Sequence, residues 1–172
     1  MPTALDNQFP VAKVIGTEKA ELTYTDRHSA RVVAVQESGE IALIHVKEGN
    51  YYKLPGGGIE KDEDHSKAAV REMREETGAV VSIRDGVCIA TTEELRFHLH
   101  QISCVYIADV VDASGKPELT EGELIDGFTH EWITPLEALE KIQEAQPTSE
   151  MGRFVKERDT YLLNEVIKVL QA

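Results

Sequence analysis

One stretch, from Gly57 to Ala79, constrains this chain more than any other. It starts inside a Pro-Gly-Gly-Gly run at 55–58, where proline fixes one φ and glycine admits positive φ, so a sharp turn is expected. From Asp64 onward the pattern predicts a helix, because Asp64 suits the N-cap and Gly78 suits the C′ position that ends it. The sequence therefore predicts a loop that leads into a helix of about three to four turns.

The predicted helix has a small, apolar side and an acidic side. A set of residues that recur with the helical period is suited to packing on a sheet: Ser66, Ala69, Val70, Met73 and Thr77. Glu72, Glu75 and Glu76 form the other side, where like charges one turn apart repel by about a few tenths of a kcal/mol. Arg71 is expected to neutralise one of these three carboxylates.

A divalent cation would turn that repulsion into attraction, because Mg2+ binds through carboxylates, water and substrate phosphate. Glu72 and Glu76, which lie one above the other on the helix, are the ligands that this reasoning favours, and Glu75 is the third. The loop before the helix offers backbone groups to the same site. The alternative is a solvated acidic face, which is the commoner fate of an E-x-x-E-E run.

The neighbours of the acidic run favour the metal site. From Gly57 the chain reads G-x5-E-x7-R-E-U-x-E-E-x-G-U, where U is an apolar residue. This is the spacing of the Nudix box, and the chain resembles the Nudix hydrolase family. Seven fixed residue types match, so chance agreement at a given start is on the order of 10^-8. Ala79 is the one departure, since the family usually has Ile, Leu or Val at that place.

The resemblance implies a metal-dependent catalytic site. Glu72, Glu75 and Glu76 would hold Mg2+ or Mn2+ together with the backbone carbonyl of Gly56. Arg71 would fix the geometry of the carboxylates.

The resemblance also implies roles for residues around these ligands. Glu63 would pair or hydrogen-bond within the motif, and Gly57 and Gly58 would lie against the substrate. The general base would come from the box, as Glu75, or from an acidic loop over residues 112–128. The loop candidates are Glu121 and Glu123, and Glu93 with Glu94 is a weaker pair.

By the same resemblance, the protein would hydrolyse the pyrophosphate linkage of a nucleoside diphosphate joined to another group, by attack of water on phosphorus. A nucleoside triphosphate and a nucleotide sugar both remain open, because sequence markers of the family's more specific subgroups are absent; Phe97, for example, stands where one subgroup has tyrosine. The alternatives are a non-catalytic Nudix-fold domain that binds or senses nucleotides, and an isomerase acting on a diphosphate ester. The complete set of box carboxylates favours the hydrolase.

Composition limits the partners. The chain has 172 residues and a net charge of −13, which fits a single domain, residues 1–172, whose surface repels phosphate backbones. We therefore expect a small-molecule partner and no nucleic acid; a homodimer is left open. The absence of a leader-like or membrane-spanning apolar run favours a cytoplasmic protein with no membrane partner. Cys88 and Cys104 lie in apolar stretches and are expected to be buried free thiols.

The remaining pattern predicts alternating strands and terminal helices. Residues 1–9 are expected to be flexible. Strands are predicted at 9–15, 22–24, 29–36, 41–47, 51–54, 80–91, 97–111 and 129–133, and helices at 135–144 and 150–171. His98 and His100 share a strand face, where a structural or substrate-lining role is expected rather than a zinc site. Periodicity gives a mixed α/β (α+β) fold, and the resemblance implies a Nudix-type α/β/α sandwich with a mixed sheet, the box as loop–helix–loop, and a C-terminal helix.

Overall fold

The computed structural model describes residues 9–172. The predicted flexibility of residues 1–9 therefore lies, apart from Phe9, outside the described residues. The elements in chain order are β1 (Lys13–Ile15), β2 (Thr25–Val35), β3 (Ile41–Val46), β4 (Tyr51–Lys53), β5 (Gly56–Gly58), α1 (His65–Thr77), β6 (Val80–Ile83), β7 (Ala90–Arg96), β8 (Leu99–Asp112), α2 (Glu121–Ile125), β9 (Phe128–Ile133), α3 (Pro135–Glu144) and α4 (Glu150–Leu170).

The strands form one mixed sheet in the order β1-β7-β8-β2-β3-β4. β2 and β8 lie at its centre and run parallel along all 11 residues of β2. β1 is parallel to β7, whereas β5 is antiparallel to β2, β6 to β8 and β9 to β3. The expectation of a mixed sheet is confirmed.

The two faces of the sheet carry separate apolar clusters. On one face, Met73 of α1 packs with Ala30 and Val32 of β2. On the other, Leu162 and Val166 of α4 pack in a cluster that includes residues of β2, β3, β8 and α3. Because successive β2 side chains point to opposite faces, one strand supplies both cores. The expected α/β/α arrangement is confirmed.

The helix caps are those that the sequence predicts. The Asp64 side chain accepts a hydrogen bond from the backbone N of Lys67 at 2.9 Å, and Gly78 ends α1 with φ of 82°. Thr134 caps α3, where Pro135 takes the first turn, and Ser149 caps α4. Both C-terminal helices are therefore confirmed.

Several strand predictions are wrong in extent. The predicted strand at 9–15 is reduced to β1, and residues 22–24 form no strand. The run 80–91 splits into β6 and β7, because Asp85 and Gly86 both have positive φ and turn the chain. The acidic loop contains α2, whose Thr120 and Glu123 form a capping box.

The prediction of free thiols at Cys88 and Cys104 is wrong. The turn between β6 and β7 brings the two residues to a Cα–Cα distance of 5.9 Å, and they form a disulfide. The prediction that both are buried is confirmed, since they lie in the cluster beneath α1. Within residues 9–172, no helix is both long and apolar enough to cross a bilayer.

Candidate active site

Arg71 binds three box carboxylates at once. Its Nε and Nη2 donate to the two oxygens of Glu63 at 2.8 and 3.0 Å, and its Nη1 donates to Glu72 at 3.0 Å and Glu75 at 3.2 Å. Nη2 also donates to the Gly58 carbonyl at 3.0 Å. Of the three carboxylates on the acidic side of α1, Arg71 therefore contacts two, Glu72 and Glu75, where one was expected, because its planar fork offers five donors. These hydrogen bonds raise the pKa of Arg71 and lower that of Glu63.

Glu76 is buried, unlike the other box glutamates. Its Oε1 accepts a hydrogen bond from the backbone N of Gly56 at 2.9 Å. Its Oε2 lies 3.2 Å from Nζ of Lys53, within ion-pair distance, but accepts no hydrogen bond of good geometry. Burial raises the pKa of Glu76, and the Lys53 charge opposes that rise. The helical pattern grouped Glu76 with Glu72 and Glu75, whereas in the structure Glu76 alone of the three is buried.

Glu72 reaches the same glycine segment. A Cβ at Gly57 would overlap the Glu72 carboxylate, so only glycine lets this carboxylate lie against the β5 backbone. Glu72 and Glu76 thus meet at adjacent residues, Gly57 and Gly56. Two carboxylates at one place, one with a buried oxygen that lacks a hydrogen bond, fit a hard divalent cation.

The donor set near that place is small. Among residues 9–172, no three His, Cys, Asp or Glu side chains are grouped so as to hold a metal ion. Mg2+ usually takes one or two protein carboxylates and fills its other positions with water and substrate phosphate. The pair formed by Glu72 and Glu76 fits that mode of binding.

The Gly56 carbonyl, which the resemblance makes a metal ligand, is bound to two cationic side chains. It accepts hydrogen bonds from Arg31 Nη1 at 2.9 Å and from Lys53 Nζ at 3.1 Å. A carbonyl oxygen has two lone pairs, so a metal ion would have to displace one of these donors. The role of Gly56 as a ligand stays a prediction.

Sequence reasoning missed the basic residues around the glycine segment. Arg31 and Lys53 are buried, and burial lowers the pKa of Arg31 to about 10. Arg27 is exposed, donates to Gln101 at 2.6 Å, and has its guanidinium beside Gly58. The available signal was Arg31 in the otherwise apolar run 30–35, since a charge in a buried strand needs a partner.

The acidic loop contacts the box at a residue that the sequence did not single out. The backbone N of Glu118 donates to the Glu75 carbonyl at 2.7 Å, and both residues line a cavity of about 430 Å³ that is also lined by Ile83 of β6. Glu123 caps α2 by accepting from the Thr120 backbone N at 2.9 Å, while Glu121 starts that helix. Burial raises the pKa of Glu75.

The side chains of β7 and β8 that the sequence singled out are engaged in pairs. His100 lies between Asp26 and Glu93, and it contacts both carboxylates through its two ring nitrogens. Glu94 is fully buried and forms ion pairs with Arg96 and Arg158. The contacts of His100 therefore link β8 to β2 and β7, whereas those of Glu94 link β7 to α4.

Comparison with known proteins gives consistent matches. The family model for the NUDIX domain matches residues 25–154. An ADP-ribose pyrophosphatase of Methanocaldococcus jannaschii is 30% identical over 111 residues, which cover 58% of this chain and 66% of that protein, just under two thirds. A MutT-like protein of Streptomyces ambofaciens is 30% identical over 132 residues, covering 74% of this chain and 78% of that protein. A solved Ap4A hydrolase of C. elegans has a TM-score of 0.60 at 16% identity, covering 84% of this chain and 98% of that one.

Proposed function

Because this chain belongs to the Nudix family, we propose that it is a divalent-metal-dependent pyrophosphohydrolase that cleaves a nucleoside diphosphate linked to another group. The observation that carries the proposal is the meeting of the Glu72 and Glu76 carboxylates at Gly56 and Gly57. The pyrophosphatase and hydrolase names of the matched proteins support the reaction class.

Glu72 and Glu76 would hold Mg2+ or Mn2+. Glu75, the third candidate ligand, would bind the cation only if another residue served as the general base. The cation, when bound, supplies charge neutralisation to the phosphate oxygens and activates water for attack. The Gly56 carbonyl would be a further metal ligand once Lys53 or Arg31 no longer donates a hydrogen bond to it.

The chain's own residues would do the positioning. Arg71 ties Glu63, Glu72 and Glu75 to the loop carbonyl of Gly58, so the ligands are held before any substrate arrives. Such preorganisation is the main protein contribution to phosphoryl chemistry, where geometry and charge matter most. Gly57 and Gly58 would allow the substrate to approach the backbone, because neither carries a side chain.

Arg27 is placed where it could bind a substrate phosphate beside the box. Its guanidinium lies next to Gly58, on an exposed part of β2, and Gln101 orients it. A fixed guanidinium can bind a phosphate with two parallel hydrogen bonds. In a chain of net charge −13, such a group beside the glutamates offers local attraction to an anionic substrate.

We propose Glu75 as the general base in preference to Glu121 and Glu123. Glu75 is in the box, and the same Arg71 nitrogen that binds Glu72 also binds its carboxylate, which keeps it beside the candidate metal ligands. Glu123 is occupied in capping α2. Glu121 stays a candidate on the acidic loop, which reaches Glu75 through Glu118.

The predicted single domain over residues 1–172, the cytoplasmic location and the homodimer stay predictions.

The test is a screen for released phosphate, with coupling enzymes, over nucleoside triphosphates, nucleotide sugars, ADP-ribose and dinucleoside polyphosphates, each with and without Mg2+. We expect Mg2+-dependent turnover of one class. A folded protein that binds nucleotide yet turns over none of these compounds would favour the binding or sensor alternative instead. Turnover that persists with a chelator would contradict the metal requirement.

A further inference from the structure

The C-terminal helix, α4, is hydrogen-bonded to the backbone of the segment 54–56, which leads into the glycine turn. Asp159 of α4 is fully buried, and its Oδ2 accepts a hydrogen bond from the backbone N of Leu54 at 2.9 Å. Leu54 directly follows β4 and lies two residues before Gly56. Pro55 stands between them and has no N–H to donate. The segment 54–56 therefore has two backbone N–H groups.

Those two N–H groups are taken by carboxylates from opposite sides of the sheet. Leu54 donates to Asp159 of α4, and Gly56 donates to Glu76 of α1 at 2.9 Å. The carbonyl of Pro55 accepts from the backbone N of Val32 at 3.0 Å, which fixes the middle of the segment to β2. The position of Gly56 relative to Glu76 thus depends on a residue that is remote from the box in sequence.

Asp159 is itself held by two hydrogen bonds. Arg158 donates from Nε to Oδ1 at 2.7 Å and from Nη2 to Oδ2 at 3.1 Å. Arg158 Nη1 lies 3.3 Å from Oε1 of Glu94, and that oxygen also accepts from Gln101 at 3.2 Å. Arg158 is 1% exposed, and Asp159 and Glu94 are 0% exposed.

The buried charges of Arg158, Asp159 and Glu94 are not the arrangement expected if stability were their only role. Removing charged groups from water carries a large penalty, and well-packed apolar side chains of similar size often serve stability as well or better. The neighbouring helix positions Leu162 and Leu163 show that α4 packs on the sheet through apolar residues. What the charged pair adds is a directional hydrogen bond to the backbone of Leu54.

We propose that Asp159, oriented by Arg158 and Glu94, is a positioning residue that fixes the segment 54–56 and thereby the place of Gly56 against Glu76. The inference rests on the proposed function, because it takes Glu76 as a metal ligand. It assigns α4 a part in metal binding although α4 lies on the face of the sheet opposite α1. Outer partners of this kind tune metal affinity by holding the ligands in place.

The test compares Asp159→Asn with Leu163→Ala, a core truncation in the same helix that leaves the Leu54 bond intact. Asp159→Asn keeps the shape but removes the charge and one of the two acceptor oxygens. Its amide nitrogen must then face either Arg158 Nε or the two donors that share Oδ2, Leu54 N and Arg158 Nη2, so the hold on Leu54 is weakened. We expect faster amide exchange at Leu54 and Gly56 and roughly 10- to 100-fold weaker Mn2+ binding by calorimetry. Leu163→Ala is expected to lower Tm while leaving Mn2+ affinity within about twofold of wild type.

Equal losses of Mn2+ affinity in both variants, or an unchanged Leu54 amide and affinity in Asp159→Asn, would overturn the proposal. If Asp159→Asn does not fold, Glu94→Gln replaces it, since that change loosens Arg158 and keeps Asp159. A smaller loss of Mn2+ affinity is then expected, and an unchanged Mn2+ affinity would overturn the proposal. Wild type that binds Mn2+ but hydrolyses nothing would contradict only the proposed function. Wild type that binds no Mn2+ would contradict both.

Discussion

The Gly56 amide donates to the Glu76 carboxylate across 2.9 Å, joining the glycine turn to the last turn of α1. This bond orients one oxygen of Glu76 and leaves the other beside Lys53. The glycine turn and the helix are therefore one structural unit.

Glu76→Gln should abolish most of the turnover while the protein stays folded. The amide keeps the shape of the side chain but removes the charge that would bind the cation. Loss of a residue that hydrogen-bonds to a metal ligand lowers activity roughly 10- to 100-fold. Loss of the ligand itself should therefore lower activity at least about 100-fold. Steady-state kinetics are compared with those of Glu165→Gln, which removes a partly exposed glutamate of α4 that is paired with Lys168. Equal activity of the two variants would refute the assignment.

Arg71→Gln should lower stability as well as activity, because Arg71 binds Glu63, Glu72 and Glu75. Hydrogen bonds to charged groups contribute about 1.5–3 kcal/mol each in partly buried sites, so a loss on the order of 2 kcal/mol is expected after discounting for exposure. Urea unfolding measures it. Arg84→Gln, which breaks an exposed pair with Asp109, should cost less than about 1 kcal/mol, and an equal cost would count against the role of Arg71.

Gly57→Ala should impair metal binding, because the new Cβ would overlap the Glu72 carboxylate. The carboxylate has to move, so Mn2+ affinity and turnover fall together. Gly122→Ala in α2 is the matched control, since its Cβ meets only Thr120 Oγ1 at 4.0 Å. Calorimetric Mn2+ titration of the two variants decides: normal affinity in Gly57→Ala would mean that Glu72 does not bind metal from this position.

Glu63 should make stability fall at acid pH. Its hydrogen bond from Arg71 lowers its pKa from the ordinary value of 4.5. A group whose pKa is lower in the folded state adds stability above its unfolded pKa, and that contribution is lost as pH falls through the folded pKa. Unfolding free energies measured from pH 6 down to acid should therefore fall less steeply in Glu63→Gln than in wild type. Parallel curves would rule out this linkage.

Reduction of the disulfide between Cys88 and Cys104 should lower the free energy of unfolding by about 3 kcal/mol, the value expected for closing a loop of roughly this length. The residues are 16 apart in sequence. Denaturant unfolding with and without reductant measures the change, and the double variant Cys88→Ala, Cys104→Ala should be insensitive to reductant. A wild-type curve that reductant leaves unmoved would show that the bond adds nothing.

The sequence predicted the parts of the site that depend on local pattern. Asp64 and Gly78 fix the ends of α1, and the box spacing places Glu72 and Glu76 one turn apart. It did not predict contacts between distant segments. Arg158 falls on the apolar side of α4 in the sequence pattern, yet its partners Glu94 and Asp159 become evident only once β7 and α4 are packed together.

The disulfide and the burial of Lys53 were also not predicted, because each depends on where the chain turns. The positive φ at Asp85 and Gly86 reverses the chain and brings Cys88 to Cys104, and residue types alone do not fix where such a reversal occurs. Lys53 was unremarkable in sequence, because a lysine beside two tyrosines is usually exposed. It is buried against Glu76 because β4 runs directly into the glycine turn.

The most direct measurement is a crystal structure of the protein soaked with Mn2+ and a non-hydrolysable nucleotide, with anomalous diffraction to locate the metal. We expect Mn2+ between the Glu72 and Glu76 carboxylates, with phosphate oxygens completing its coordination and Lys53 displaced from Glu76. Mn2+ and nucleotide bound elsewhere, with the pair of Lys53 and Glu76 intact, would refute the metal site proposed at Glu72 and Glu76.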